Sequence, residues 1–169
     1  GCGVLVQNQL DIGNVGALDV RNQCSGFLYG LSVADQFIKS GMYKTILVIG
    51  SEIQSNIMNK SSEGRSMGVI FGDGAGAVLL EPSEDENGII DSVLRSDGSG
   101  SEFLYLKAGG SAYPASHETV DNKQHYIYQE GQTVFKFAVK KMAEVSVEVM
   151  ERNGLKGSDI TWLVPHQAN

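Results

Sequence analysis

Between residues 17 and 50 the hydrophobic pattern changes period twice, and this change restricts the chain to few architectures. "ALDV" (17–20) reads as a short buried strand. From Cys24 the apolar residues Cys24, Phe27, Leu28, Leu31, Ala34 and Ile38 fall on one helical face. Tyr29, Val33 and Phe37 widen that face until Ser25, Ser32, Asp35, Gln36 and Lys39 are left for solvent. The pattern predicts a mostly buried helix, closed by Gly41 in the left-handed position just past its end. "KTILVIG" (44–50) then lacks polar alternation, as expected of a strand covered on both faces. Strand, helix, strand in succession points to an α/β fold with a largely parallel sheet.

The rest of the chain repeats this logic. Residues 3–10 read as helix ahead of the turn-prone "DIGNVG", and "VIFGDGAGAVLLEP" runs through glycines into a strand. The acidic run "SEDENG" marks a boundary, so residues 1–85 and 86–169 are expected to belong to two structural halves. "IIDSVLRSDGSG" offers one more strand. Residues 101–130 show no clear period and read as a long excursion, functional or mobile. From Gln132 to Asn153, Phe135, Ala138, Met142, Val145 and Val149 form an apolar stripe opposed by charge. Lys140 with Glu144, and Glu148 with Arg152, have favourable four-residue spacings. Gly154 closes this helix, and "ITWLV" (160–164) is expected as a buried strand. The chain opens without Met and stops just after that stretch, so it reads as an internal piece of a longer protein.

Charge and cysteine usage exclude several classes. With 13 Lys plus Arg against 20 Asp plus Glu, the net charge of -7 disfavours nucleic acid as a partner. Two distant cysteines form neither a metal pattern nor a disulfide framework, which points to a reducing, cytoplasmic setting without a metal. No apolar run reaches the roughly 18 residues a membrane span requires.

Two residues stand where open α/β sheets gather ligands, beyond the carboxyl ends of strands. Cys24 follows "ALDV" and His166 follows "WLV". A thiol at a helix N-terminus feels unpaired N–H groups that favour its thiolate, and the same groups can hold the oxygen of a thioester as charge develops on it. A lone Cys on an apolar face is commonly a packing residue. Against that reading, Ser25-Gly26 leaves room beside Cys24, and Arg21, Asn22 and Gln23 place polar groups where a structural strand exit needs none. Cys2 lacks these neighbours and is assigned to packing. His166 lies in a polar cluster with Pro165, Gln167 and Asn169, whereas His117 and His125 are expected in a solvated loop. Gly72, Gly74 and Ala77 match a dinucleotide fingerprint, but the segment feeds a strand instead of opening a helix, so that reading is rejected.

"CSGFLYGLSVADQFIKSG", "IFGDGAGAVLLEP", "EGQTVFKFAV" and "WLVPHQAN", in this order, resemble the β-ketoacyl-acyl carrier protein synthase III family of condensing enzymes. The resemblance implies a thiolase-like layered α-β-α-β-α architecture, incomplete in this chain. It implies that Cys24 is acylated by a short acyl-coenzyme A and that His166 assists decarboxylation of malonyl-acyl carrier protein. By position, Phe71 is similar to a residue lining the acyl pocket and Arg65 to one near the adenine end of coenzyme A. Gly131 and Asn169 resemble residues of the pantetheine tunnel, and Gln167, Ala168 and Asn169 the start of the carrier-protein contact. The family implies a homodimer and no cofactor beyond the coenzyme A thioester and the phosphopantetheine-bearing carrier protein.

The family's further asparagine, in an H-G-N motif after the histidine, does not occur in this sequence, and Gln132 stands where many relatives carry Asn. The stretch by itself is thus expected to lack full decarboxylation. Other condensing enzymes, of 3-hydroxy-3-methylglutaryl-coenzyme A or polyketide type, use the same Cys and His. A Cys–His peptidase and a non-catalytic thiolase-like scaffold are the readings from other classes. "RNQCSGFLYG" lacks the aromatic residue that papain-like enzymes place directly after their Cys.

Overall fold

The computed structural model describes residues 1–85 and 87–168. In chain order its elements are α1 (Cys2–Leu10), α2 (Gly26–Lys39), β1 (Ile46–Glu52), α3 (Arg65–Gly68), β2 (Gly74–Leu80), β3 (Leu104–Leu106), α4 (His117–Asp121), β4 (Ile127–Gln129) and α5 (Gly131–Arg152). By its internal contacts the chain forms two compact units. One holds Gly1–Gly50 and Gly76–Gly88, the other Ser51–Ala75 and Ile89 onward.

The first unit is organised by α2 against β1. Small residues let the backbones approach: a Cβ on Gly30 would lie 3.3 Å from Cγ1 of Val48, and one on Gly50 would lie 3.2 Å from the Phe27 ring. Ala34 and Val48 are the buried apolar residues of this layer. Full burial of a valine side chain stabilises by about 1.5 kcal/mol or more, so Val48 is one anchor of the contact. β1 pairs with β2. Gly41, at φ 76, takes the left-handed position the sequence assigns it, and Phe37 then meets Tyr43 edge-on at 5.7 Å.

The predicted mostly buried helix is corrected in degree. Of α2 only Ala34 is buried, while Phe27 and Leu28 are 37% and 61% exposed. A helix apolar around most of its circumference needs cover on several sides, and β1 covers one. "ALDV" is corrected as well: residues 17–20 form no strand, and Asp19 instead accepts from the Gly3 N–H at 2.9 Å.

The second unit is organised by α5, whose bounds nearly match the predicted 132–153. Ala138, Met142, Val145 and Val149 lie half-buried along one side, but Phe135 is exposed. Lys140 meets Glu144 at 3.8 Å as its spacing predicts, and Lys141 reaches the same carboxylate at 2.7 Å. The expected Glu148–Arg152 pair is replaced. Arg95 takes Glu148, while Arg152 and Asn153 donate to Asp91 at 3.0 and 3.1 Å. These bonds fasten residues 91–95 along the helix, so the side chains find partners in a neighbouring segment instead of on their own helix. That segment is irregular where a strand was expected.

Two further differences concern strands. Residues 101–130 contain β3 and β4, antiparallel with Leu104 opposite Gln129 and Leu106 opposite Ile127. Among the described residues the strands thus form two two-stranded sheets, where a largely parallel sheet was expected. "ITWLV" forms no strand; Trp162, Leu163 and Val164 are 82%, 69% and 87% exposed. A strand exists only where its N–H and C=O groups meet a partner edge, and no described segment offers one to these residues.

Candidate functional site

Cys24 lies in a 3-10 turn, Gln23–Ser25, that opens directly into α2. The turn is held from both sides of the thiol. Asn22 Nδ2 donates to Ser25 Oγ at 2.9 Å, Ser25 Oγ donates to Asn22 O at 3.1 Å, and the Ser25 N–H donates to the same carbonyl at 3.2 Å. Since the Ser25 hydroxyl is engaged with Asn22, it makes no cap bond to the N–H groups of the first turn of α2. Gln23 has φ 44, a left-handed conformation that side-chain-bearing residues adopt at a cost of about 1–2 kcal/mol. Such strain persists only where the surroundings hold it, and it clusters at sites of function. Cys24 is a free, exposed cysteine, and a Cβ on Gly26 would meet nothing within 4 Å. The room predicted beside the thiol is present. Cys2 is exposed too, so its assignment to packing is corrected: α1 turns no buried face at that position.

The remaining candidates belong to the second unit. Arg65 opens α3 and is exposed; Phe71 follows α3, is half-buried, and donates its N–H to Met67 O at 3.3 Å. α3 packs against β4, and β4 runs through Glu130 into α5, whose first residue is Gly131. The structure therefore brings the Arg65–Phe71 segment and the start of α5 to one neighbourhood. His166, Gln167 and Ala168 lie on the exposed, irregular stretch after residue 159, with no regular element to orient them. Asn169 lies outside the described residues. Cys24 belongs to the first unit and His166 to the second.

Sequence reasoning assigned nothing to Asp73, the acid of the "GDGAG" run. Its carboxylate accepts from the Ser55 hydroxyl at 2.7 Å and the Ser55 N–H at 2.8 Å, two bonds that hold its pKa below the ordinary carboxylate range. Two residues past Phe71, it ties the glycine-rich segment to the polar loop after β1. An acid between two glycines, able to bond a loop N–H, is the one sequence signal that could have drawn attention to it. His125, expected in a solvated loop, is half-buried with Nε2 2.9 Å from Thr119 Oγ1. A shallow groove on α5, lined by Ala143, Glu144, Val147, Glu148 and Glu151, includes none of the candidates. Among the described residues no group of three or more His, Cys, Asp or Glu is arranged to hold a metal ion, and no helix is long and apolar enough to cross a membrane.

The family model of 3-oxoacyl-[acyl-carrier-protein (ACP)] synthase III matches residues 18–98, a span that includes the Cys24 turn, Arg65, Phe71 and Asp73. A beta-ketoacyl-[acyl-carrier-protein] synthase III of Koribacter versatilis is 50% identical over 167 residues, covering 98% of this chain and 50% of the relative. Along nearly its whole length the chain is similar to members of the 3-oxoacyl-[acyl-carrier-protein] synthase III family. It spans about half the length of the curated relatives it matches. A crystal structure of a 3-oxoacyl-(acyl-carrier-protein) synthase III superposes with a TM-score of 0.90 at 28% identity, covering 99% of this chain and 52% of that one. That of Aquifex aeolicus VF5 superposes at 0.83 and 41% identity, covering 99% and 49%. The thiolase-like α/β fold expected from the sequence is thus the fold of this chain, present in part.

Proposed function

We propose that the protein carrying this stretch joins a short acyl-coenzyme A primer to malonyl-acyl carrier protein in the initiating condensation of fatty acid synthesis. The observation that carries the reading is the Cys24 turn: an exposed thiol, preceded by a strained Gln23, at the head of α2. The sulfur attacks the primer's carbonyl carbon, a C–S bond forms, and the coenzyme A thiolate departs. N–H groups at a helix head stabilise negative charge on the carbonyl oxygen as the tetrahedral intermediate forms. Malonyl-acyl carrier protein then loses carbon dioxide, with His166 donating a hydrogen bond to the thioester oxygen on which the enolate charge collects. The enolate carbon attacks the acyl group on Cys24. A C–C bond forms, the C–S bond breaks, and the cysteine thiolate is regenerated as the 3-oxoacyl carrier protein leaves.

In this reading Arg65 meets the adenine end of coenzyme A, Phe71 lines the acyl pocket, and Gly131 with Asn169 borders the pantetheine tunnel. Gln167, Ala168 and Asn169 begin the carrier-protein contact. Residues 1–85 and 86–169 fall in the N-terminal and C-terminal halves of the longer fold. The protein acts as a cytoplasmic homodimer without a resident cofactor. The test is intact mass of the full-length protein after incubation with acetyl-coenzyme A. One acetyl group mapping to Cys24, and none in Cys24→Ala, is the expected result. A gain that maps to Cys2, or that persists in Cys24→Ala, overturns the assignment.

A further inference from the structure

The excursion at 101–130 has an architecture of its own. Its β3 and β4 arms are joined by cross-strand pairing and by Tyr105 on Tyr128, with ring centroids 5.0 Å apart. Ala108 is buried and donates its N–H to Gln124 O at 3.0 Å. A capping box of Ser116 and Thr119 starts α4, and Thr119 also meets His125. The segment is a folded arm and not a loose loop.

This arm grips one place. Lys123 Nζ lies 2.7 Å from Glu63 Oε2, and the Ile127 N–H donates to Ile57 O at 2.9 Å. Glu63 belongs to the 3-10 turn Ser62–Gly64, and only Gly64 separates it from Arg65. Gly64 is buried, and a Cβ there would stand 1.9 Å from Asn59 O, so the turn packs its backbone directly against Asn59 and admits no side chain at this position. Lys123 itself has φ 55. Glycine adopts that conformation without cost, and here, just past the end of α4, a lysine stands in it with its side chain paired to Glu63. The pair is solvent-exposed and adds little to global stability.

The geometry points to the arm as a positioning clamp for the acyl-donor site: Lys123, through Glu63, holds the Ser62–Gly68 turn and with it the Arg65 guanidinium toward the nucleotide end of the donor. This rests on the reading of Arg65 given above, and Lys123 is a positioning residue that touches no substrate.

The experiment measures KM and kcat of the full-length protein with acetyl-coenzyme A and with S-acetylpantetheine, which lacks the nucleotide. Lys123→Glu is expected to raise KM for acetyl-coenzyme A about threefold to fivefold, the scale of one exposed charge pair. Its kcat and its KM for the short thioester stay at parent values. Glu63→Lys combined with Lys123→Glu restores KM. Lys123→Gly relieves the left-handed strain and raises the thermal midpoint, yet raises KM for acetyl-coenzyme A as well, which a purely structural lysine would not do. Unchanged KM in the Lys123 variants alongside a raised value in Arg65→Ala overturns the clamp and leaves the Arg65 reading standing. The reverse pattern overturns the Arg65 reading and keeps the clamp, acting through another residue of 62–71. Equal losses with both donors overturn the clamp as general damage.

Discussion

The Cys24 turn and the stretch that carries His166 are built on opposite terms. Around Cys24 each constraint comes from residues 22–26: two side-chain bonds between Asn22 and Ser25, a left-handed Gln23, and the head of α2. Around His166 no regular element supplies a local constraint, since residues 161–168 are exposed and lie outside any helix or strand. A thiol's direction can thus be written into five consecutive residues, whereas an imidazole on an irregular stretch takes its direction from whatever that stretch packs against.

The largest test of this contrast is His166→Ala in the full-length protein. Carbon dioxide release from malonyl-acyl carrier protein should fall by about 10²–10⁴-fold, the range for losing a positioned proton-transfer or hydrogen-bonding group, while acyl transfer to Cys24 is spared. Equal loss in both steps would make the two regions one device and break the comparison. Asn22→Ala comes next. It removes the side-chain bond to Ser25, worth about 1 kcal/mol, so acylation of Cys24 should slow about fivefold by stopped-flow labelling while carbon dioxide release is unaffected. An unaltered labelling rate would mean the turn is held from elsewhere.

The smallest effect concerns Asp73. Its pKa lies below the ordinary 3.8 because of the Ser55 bonds, so its stabilising contribution is complete above that value and is lost as pH falls through the lower, folded-state value. Asp73→Asn should therefore lower the urea midpoint slightly at neutral pH and flatten its decline on acidification below about pH 4. A parallel decline in both proteins would place the acid sensitivity elsewhere.

What the sequence disclosed follows the same division. α2, α5, the β1 and β2 strands, Gly41 and the place of Cys24 were legible because helical period, a glycine past a helix end and continuous apolar runs are local signals. The β3–β4 pair was not, because its three-residue strands are too short to show alternation and their partnership spans more than twenty positions. The "ITWLV" strand was over-read for a related reason. Its composition suits a sheet, but composition supplies no partner edge. Asp73 and Lys123 escaped notice because an acid between glycines, or a lysine in a long excursion, is ordinary until its contact is seen.

Trp162 is the one tryptophan of this sequence, and it stands almost fully bare in the run leading into His166. An indole gives red-shifted emission in water and shifts blue when enclosed. The chain therefore carries its own optical gauge, placed where docking of the histidine arm would register as a change of colour.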